Sequence, residues 1–529
     1  SDPSMGFDDY FHYAEAMVHA HKYQEALGSW MLAMETMGKQ SGMVEYIARR
    51  MGEVSTKLLQ EQNIDMAIDY VKEAFRLSPK SEFIKDRYRD AVMAHYSHLV
   101  NQREINTVIS DMQLNISNGT LRGIYLQTAD TLARVLALQD NLNSINDAIK
   151  VQKKMLEWDS NPMHAEALGI SFFELYKFKS IRETSSLELR SILEEALANS
   201  REAYRLQKGA GKPYFSAHLV QLAAMNELGK YSEVESQSTA ELGSSAALMS
   251  REVLIAYRKQ LAKAFAMQDN HSSAEGEYNT ILSLNAADRE ASELIIEELI
   301  ALAKYDAASD ALHKLMLGKE ENANYTLTLG RISLLKSNGG EAVFQLEKAL
   351  SQDPSLRRAY GFLADAYALS TNNLQAIKYY VLAIQYADEQ LAKTGQGNRN
   401  KREAAELPEE RLRFLRAAAK IYAELQNHKE ALAMNLRLIK LKDSDAAAHY
   451  GAGQASMQLG RVYNSVEHFR RAVVLDATNA TYDSALKSAE KQRNDLMASS
   501  NPLSIADVLV NEIFPSIYKN YSDVHQLPA

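Results

Sequence analysis

Apolar residues recur at helical spacing along most of this chain. Ile377, Tyr380, Val381 and Ile384 fall on one stripe with polar residues between them, the pattern of a helix buried along one side. Such segments come in pairs joined by short turns, as at Leu228-Gly229-Lys230-Tyr231, and the pairs repeat. Ala274, Ala308, Ala342 and Ala376 follow one another at intervals of 34 residues, each where the second helix of a hairpin needs a small residue. A fixed period of roughly 20–50 residues marks proteins in which each unit buries its apolar face only by stacking on the next.

The residues around these alanines keep the same register. Gly330 lies 12 before Ala342, Leu346 and Ala349 follow it at 4 and 7, and Pro354 closes the unit at 12; around Ala376 the equivalents are Ala364, Tyr367, Tyr380 and Ala383. Ala431 and Ser465 are again 34 apart, with Ala419, Tyr422, Leu438, Gly453, Gly460, Phe469 and Ala472 in matching places. Small residues where two helices cross, an aromatic or Leu between them and a closing Pro resemble the tetratricopeptide repeat. Val234, Ala26, Ala67 and Ala148 with Trp158 extend the register outward, and residues 80–125 and 163–208 read as degenerate hairpins, so the resemblance covers nearly all of the chain. It implies an all-α fold, a right-handed superhelical solenoid of tetratricopeptide-type helical hairpins.

Departures from the register set the expected boundaries. Residues 1–6 read as a vector-derived or N-terminal tail, 7–208 as an N-terminal array with degenerate units, and 213–388 as a central array beyond the break Lys208-Gly209-Ala210-Gly211-Lys212-Pro213. Ala376 to Ala431 is 55 residues, one period with 21 more, and Gly, Asn and charge clustering place an insertion loop at 389–410. Residues 411–497 supply the last units and a capping helix that lays Tyr482, Leu486 and Ala489 toward the array. The stretch 498–529, rich in β-branched residues, reads as a non-repeat tail or the start of a truncated downstream domain.

Composition narrows the class further. Nine prolines and 23 glycines in 529 residues fit an almost wholly helical chain. No stretch approaches the ~18 uninterrupted apolar residues of a membrane-spanning helix. A net charge of -9 argues against nonspecific nucleic-acid binding through overall charge, and the absence of cysteine excludes disulfides and thiolate chemistry. The compartment stays open between cytoplasm and bacterial periplasm.

No catalytic constellation emerges. The 208–213 segment lacks the spacing of a phosphate-binding loop, and Gly451-Ala452-Gly453 falls inside a helix, where glycines permit close crossing. His95 and His98 share a helical face but have no third ligand in view, so no metal and no cofactor are expected.

The family resemblance implies a groove lined by positions 2, 5, 9 and 12 of each first helix. Counting from 19 residues before the register position, these are Arg413, Arg416 and Lys420 in one unit, Arg358 and Arg331 in its neighbours, and Tyr450, Gln454 and Met457 in the next. Five cations beside an aromatic would suit an acidic peptide or a terminal carboxylate. The asparagines of the family's carboxylate clamp are missing and Asp365 intrudes, which argues against a chaperone-tail clamp. Upstream the sign reverses, with Glu290, Glu293 and Glu297 following Lys259 and Lys263, and pairing between adjacent helices is the simplest account.

The expected function is a non-catalytic, bacterial protein-interaction scaffold or adaptor whose groove residues are Arg331, Arg358, Arg413, Arg416, Lys420 and Tyr450. The partner would be a protein or peptide of acidic character, not a nucleic acid. Competing expectations are a self-associating component of a cell-envelope or motility machine, and a regulatory or targeting arm of a larger protein.

Overall fold

The computed structural model describes residues 6–37, 41–117, 119, 121–139, 141–181, 185–211, 214–317, 322–392 and 401–498, with the side chains of residues 37, 41 and 401–406 left aside. The tail beyond residue 498 lies outside the described residues. Among them the fold is all-α, with no β-strand.

The chain divides into two compact units, Ser1–Gln260 and Leu261–Ala529. The first holds α1 (Phe7–His19), α2 (Tyr23–Met37), α3 (Ser41–Gln60), α4 (Ile64–Leu77), α5 (Glu82–Asn101), α6 (Ile105–Ser117), α7 (Arg122–Ala137), α8 (Leu142–Trp158), α9 (Pro162–Ser180), α10 (Ser186–Gly209), α11 (Phe215–Glu227) and α12 (Tyr231–Ser245). The division falls within α13 (Arg251–Ala266). The second holds α14 (His271–Leu284), α15 (Arg289–Ala301), α16 (Tyr305–Met316), α17 (Ala323–Leu335), α18 (Gly339–Gln352), α19 (Ala359–Leu369), α20 (Asn373–Ala392), α21 (Lys401–Glu424), α22 (His428–Leu441), α23 (Ala446–Gln458), α24 (Val462–Leu475) and α25 (Ala480–Ala498). Within each unit, first (A) and second (B) helices alternate as antiparallel hairpins.

One small-residue crossing holds each hairpin together. The register residues Ala26, Ala67, Ala148, Val234, Ala274, Ala308, Ala342, Ala376, Ala431 and Ser465 are all buried. Twelve positions earlier the partner helix is small in most hairpins, at Ala14, Ser55, Ala262, Gly330, Ala364, Ala419 and Gly453, and where it is glycine the bulky side chain four positions after the register residue lies on it. A Cβ added to Gly330 would sit 2.6 Å from Leu346 Cγ, and one added to Gly453 would sit 2.6 Å from the Phe469 ring. The glycines are therefore packing residues.

The turn between A and B helices repeats as faithfully. Five residues before the register position the backbone is left-handed, at His21, Gln62, Asp269, Ala303, Ser337, Thr371 and Gln426 as well as Gly229 and Gly460. The next amide closes the turn on the carbonyl five residues back, as from Asn338 to Ser333 at 2.9 Å and from Asn427 to Tyr422 at 2.9 Å. Where that residue is Asn270, Asn338, Asn372 or Asn427 its side chain caps the B helix, Asn338 accepting from the Glu341 amide at 3.3 Å. Arg103 is also left-handed, which identifies buried Val108 as the register residue of the degenerate hairpin α5–α6.

Two expected boundaries differ. No array break separates α10 from α11, which pack on one another; His218 of α11 stacks on Tyr204 of α10 with centroids 4.2 Å apart. The insertion near 389–410 is largely helical: α20 has 20 residues and α21 has 24, against 14 in α18 and 11 in α19. Buried Ala387, Leu407 and Leu412 continue the apolar stripes, so residues 389–392 and 401–410 extend two helices, and 393–400 lie outside the described residues. At the end of the array α25 sets Tyr482, 4.8 Å from the Tyr450 ring, and places Leu486 and Ala489 against Phe469.

Ala342→Leu should lower stability by overpacking, by about 1–3 kcal/mol. Ser337→Gly, which relieves a left-handed residue, should raise it by about 0.5–1 kcal/mol. Denaturant unfolding of both variants checks the register, and an unchanged midpoint for Ala342→Leu would contradict it.

Candidate functional site

All six groove candidates lie on or at the start of A helices of the second unit, but the fold uses them differently. Arg331 of α17 reaches back to Glu297 of α15 at 3.0 Å. Arg358, at the start of α19, donates to the Asn324 side-chain carbonyl of α17 at 2.7 Å. Arg413 of α21 donates to Asp365 of α19 at 2.7 Å, with its guanidinium 4.7 Å over the Phe414 ring. Asp365 also accepts from the Tyr380 hydroxyl at 2.6 Å, and burial, with Asp365 beside it, pushes that phenol far up from its ordinary range.

Arg416 reaches forward instead. Its Nε and Nη2 donate to Asp445 Oδ2 at 2.9 and 2.6 Å. Asp445 is buried and its other oxygen accepts from the Ala448 amide at 3.0 Å, capping α23. Four of the five expected binding cations are thus clasps between successive A helices. These four do not converge on an open wall: the geometric reach of an arginine to the next A helix coincides with the repeat spacing, and acids or amides stand there to meet it.

Lys420 differs from the rest. Its side chain is 79% exposed, and its ammonium lies 4.0 Å from Glu424 on its own helix. With Arg416 and Tyr450 it lines a cavity of about 470 Å³ between α21 and α23, which Gln454, Glu424 and His428 also border. Tyr450 is fixed by Tyr482 and by Phe469, 5.6 Å away, and its hydroxyl accepts from Gln454 Nε2 at 2.8 Å. The floor is Asn435 of α22, whose amide donates to the Ala431 carbonyl at 2.9 Å. A Cβ at Gly451 would come within 2.9 Å of that amide, so this glycine admits the polar floor. Arg331, Arg358 and Arg413 are not part of this cavity.

Behind it His449 and His468 face one another with Nδ1 atoms 3.4 Å apart. Burial, then the neighbouring His449, pushes the His468 imidazole down to about 4. No local pattern announces this pair, whose members stand 19 residues apart on successive helices. His98 is held by Gln102 at 2.9 Å, and among the described residues no three His, Cys, Asp or Glu gather as a metal site. No helix among them is long and apolar enough to cross a membrane.

No family model matches the sequence, and no curated relative matches it. Solved structures do. The APC/C hetero-tetramer Cut9–Hcn1 is similar over 91% of this chain and 96% of its own, at 12% identity and a TM-score of 0.36. Naa15/Naa10 bound to HypK-THB is similar over 96% and 89%, at 10% identity and 0.39. A tetratricopeptide repeat protein from Parabacteroides merdae ATCC 43184 covers 61% of this chain over 99% of its own, at 14% identity and 0.31.

Arg416→Glu leaves Asp445 facing a second carboxylate and should cost about 1–3 kcal/mol, discounted for the partial exposure of Arg416. Lys420→Glu should stay within about 0.5 kcal/mol of wild type by denaturant unfolding. The lowered His468 means that, as pH falls below about 6.5, the unfolded chain takes up a proton the fold refuses. Thermal midpoints should therefore fall between pH 6.5 and 4, and His468→Gln should flatten the slope.

Proposed function

We propose that this array of tetratricopeptide-type hairpins is a non-catalytic protein-interaction scaffold that seats an acidic segment of a partner between α21 and α23. The observation that carries the reading is the cavity of about 470 Å³ in which Arg416, Lys420 and Tyr450 meet. Lys420 supplies an exposed cation, Tyr450 a fixed aromatic face, and Gln454 and Asn435 supply amides that can pair with a peptide backbone. Arg416 contributes by holding the wall, since Asp445 already takes two of its hydrogen bonds. The remaining arginines keep successive A helices in register, so the binding charge is local and the attraction weakens with salt.

A second reading, assembly with further copies, is favoured by exposed Phe344, Leu374 and Val474 on the B helices α18, α20 and α24. A mass independent of concentration in light scattering would contradict it.

Fluorescence anisotropy with a labelled Glu-rich decapeptide tests the first reading. Lys420→Glu combined with Tyr450→Ala should weaken binding at least tenfold with circular dichroism unchanged, whereas equal binding by the double variant would remove the proposal.

A further inference from the structure

A second cavity, of about 580 Å³, lies in the first unit between the B helices α10 and α12, over α11. Its lining breaks a pattern kept by the other hairpins of clear register, while the degenerate α5–α6 carries half-buried His95 and Asn115 at the same two places. Thirteen residues before the register position the chain has Val54, Val135, Leu261, Ile295, Leu329, Leu363, Ala418 and Ala452, all apolar, and the aromatic Tyr13; before Val234 that position is Gln221. Seven residues after it stand Ala33, Ala74, Ile281, Leu315, Ala349, Ala383, Leu438 and Ala472; after Val234 it is Glu241. Both exceptions are buried and both line this cavity. A local rule broken twice at one place, where an apolar residue would serve the fold equally well, points to function.

The polar groups form a directed network. Burial pushes the His218 imidazole down to about 4, so it is neutral near pH 7. Its Nδ1 accepts from the Tyr257 hydroxyl at 2.8 Å, leaving Nε2 to donate to Gln237 Oε1 at 3.3 Å. Gln221 Nε2 donates to the same oxygen at 2.8 Å. That bond fixes the Gln221 amide, and its Oε1, buried, has no hydrogen-bond partner among the described residues. An acceptor oriented in this way can take a donor from a ligand.

The rim supplies the opposite chemistry. Arg201, Arg205 and Lys208 follow one another on one face of α10 and line the cavity beside Tyr204. Lys208 is committed to Glu241, donating at 2.7 Å, and Glu241 also accepts from the Tyr214 hydroxyl at 2.7 Å. Arg201 and Arg205 make only half-exposed pairs, with Glu233 at 3.7 Å and with Glu202 at 2.6 Å, which an incoming anion can replace. Two exchangeable guanidinium groups over a buried acceptor define the ligand class.

We propose that this cavity binds a small organic oxyanion that also carries an O–H or N–H donor, a hydroxy- or amino-carboxylate or a hydroxyalkyl phosphate, with the anion on Arg201 and Arg205 and the donor on Gln221 Oε1. The site lies in the first unit and stands independently of the peptide seat in the second.

Isothermal titration and thermal melts of the full chain with citrate, L-glutamate and glycerol 3-phosphate test it. At least one should bind saturably and raise the midpoint; a response to the first two alone assigns a carboxylate ligand, and to the third alone a phosphate. Arg201→Ala with Arg205→Ala, both exposed, should weaken binding at least tenfold with the fold intact. Gln221→Leu should raise the ligand-free midpoint, as the apolar residue of the other hairpins would, and abolish the response. Absence of saturable binding by all three probes, or binding undiminished in Gln221→Leu, would overturn the proposal.

Discussion

How closely two helices can cross sets everything else in this fold. A hairpin of two helices buries little alone, so the array exists only if each pair packs tightly enough to present a continuous face to the next. The buried alanines from Ala274 to Ala431 meet that demand on the B helices, and Gly330, Ala364 and Gly453 meet it on the A helices. Tight crossing in turn fixes the turn geometry. Non-glycine residues such as Ala303 and Gln426 accept a left-handed backbone at a cost of about 1 kcal/mol each because the crossing leaves the chain no other way round.

The same spacing decides what the charged residues do. Once A helices stand side by side, a long side chain on one reaches the next, and Arg331, Arg358, Arg413 and Arg416 each find a partner there. Such pairs are weak when fully exposed, but Arg416 meets a buried carboxylate that also caps a helix, and that contact is worth more. Cations that look like a binding surface in one dimension are consumed by the stacking in three. Of the five expected groove cations, Lys420 is the one paired only on its own helix.

Much of this was legible in the residues. The alanine ladder is a local, periodic signal, and it located the hairpins, the crossings and the capping helix α25 because each depends on a few residues of one segment. The left-handed turns carry no residue signature, since eight side chains, as different as His21 and Thr371, occupy one conformation imposed by packing. The helical flanks of the 21-residue insertion are not legible locally, because the Gly and Asn between them mask apolar stripes running in from both sides. Partners such as Asp445 for Arg416, 29 residues apart, depend on helix stacking that no local pattern encodes. Gln221 and Glu241, by contrast, could have been found by aligning each hairpin on its register and asking where a polar residue replaces an apolar one.

The central claim is that the A-helix arginines serve the stacking before they serve a partner. A double-mutant cycle in denaturant unfolding with Arg416→Ala, Asp445→Ala and the pair measures it directly. The predicted coupling is about 1–3 kcal/mol; a coupling within about 0.3 kcal/mol of zero would contradict the account.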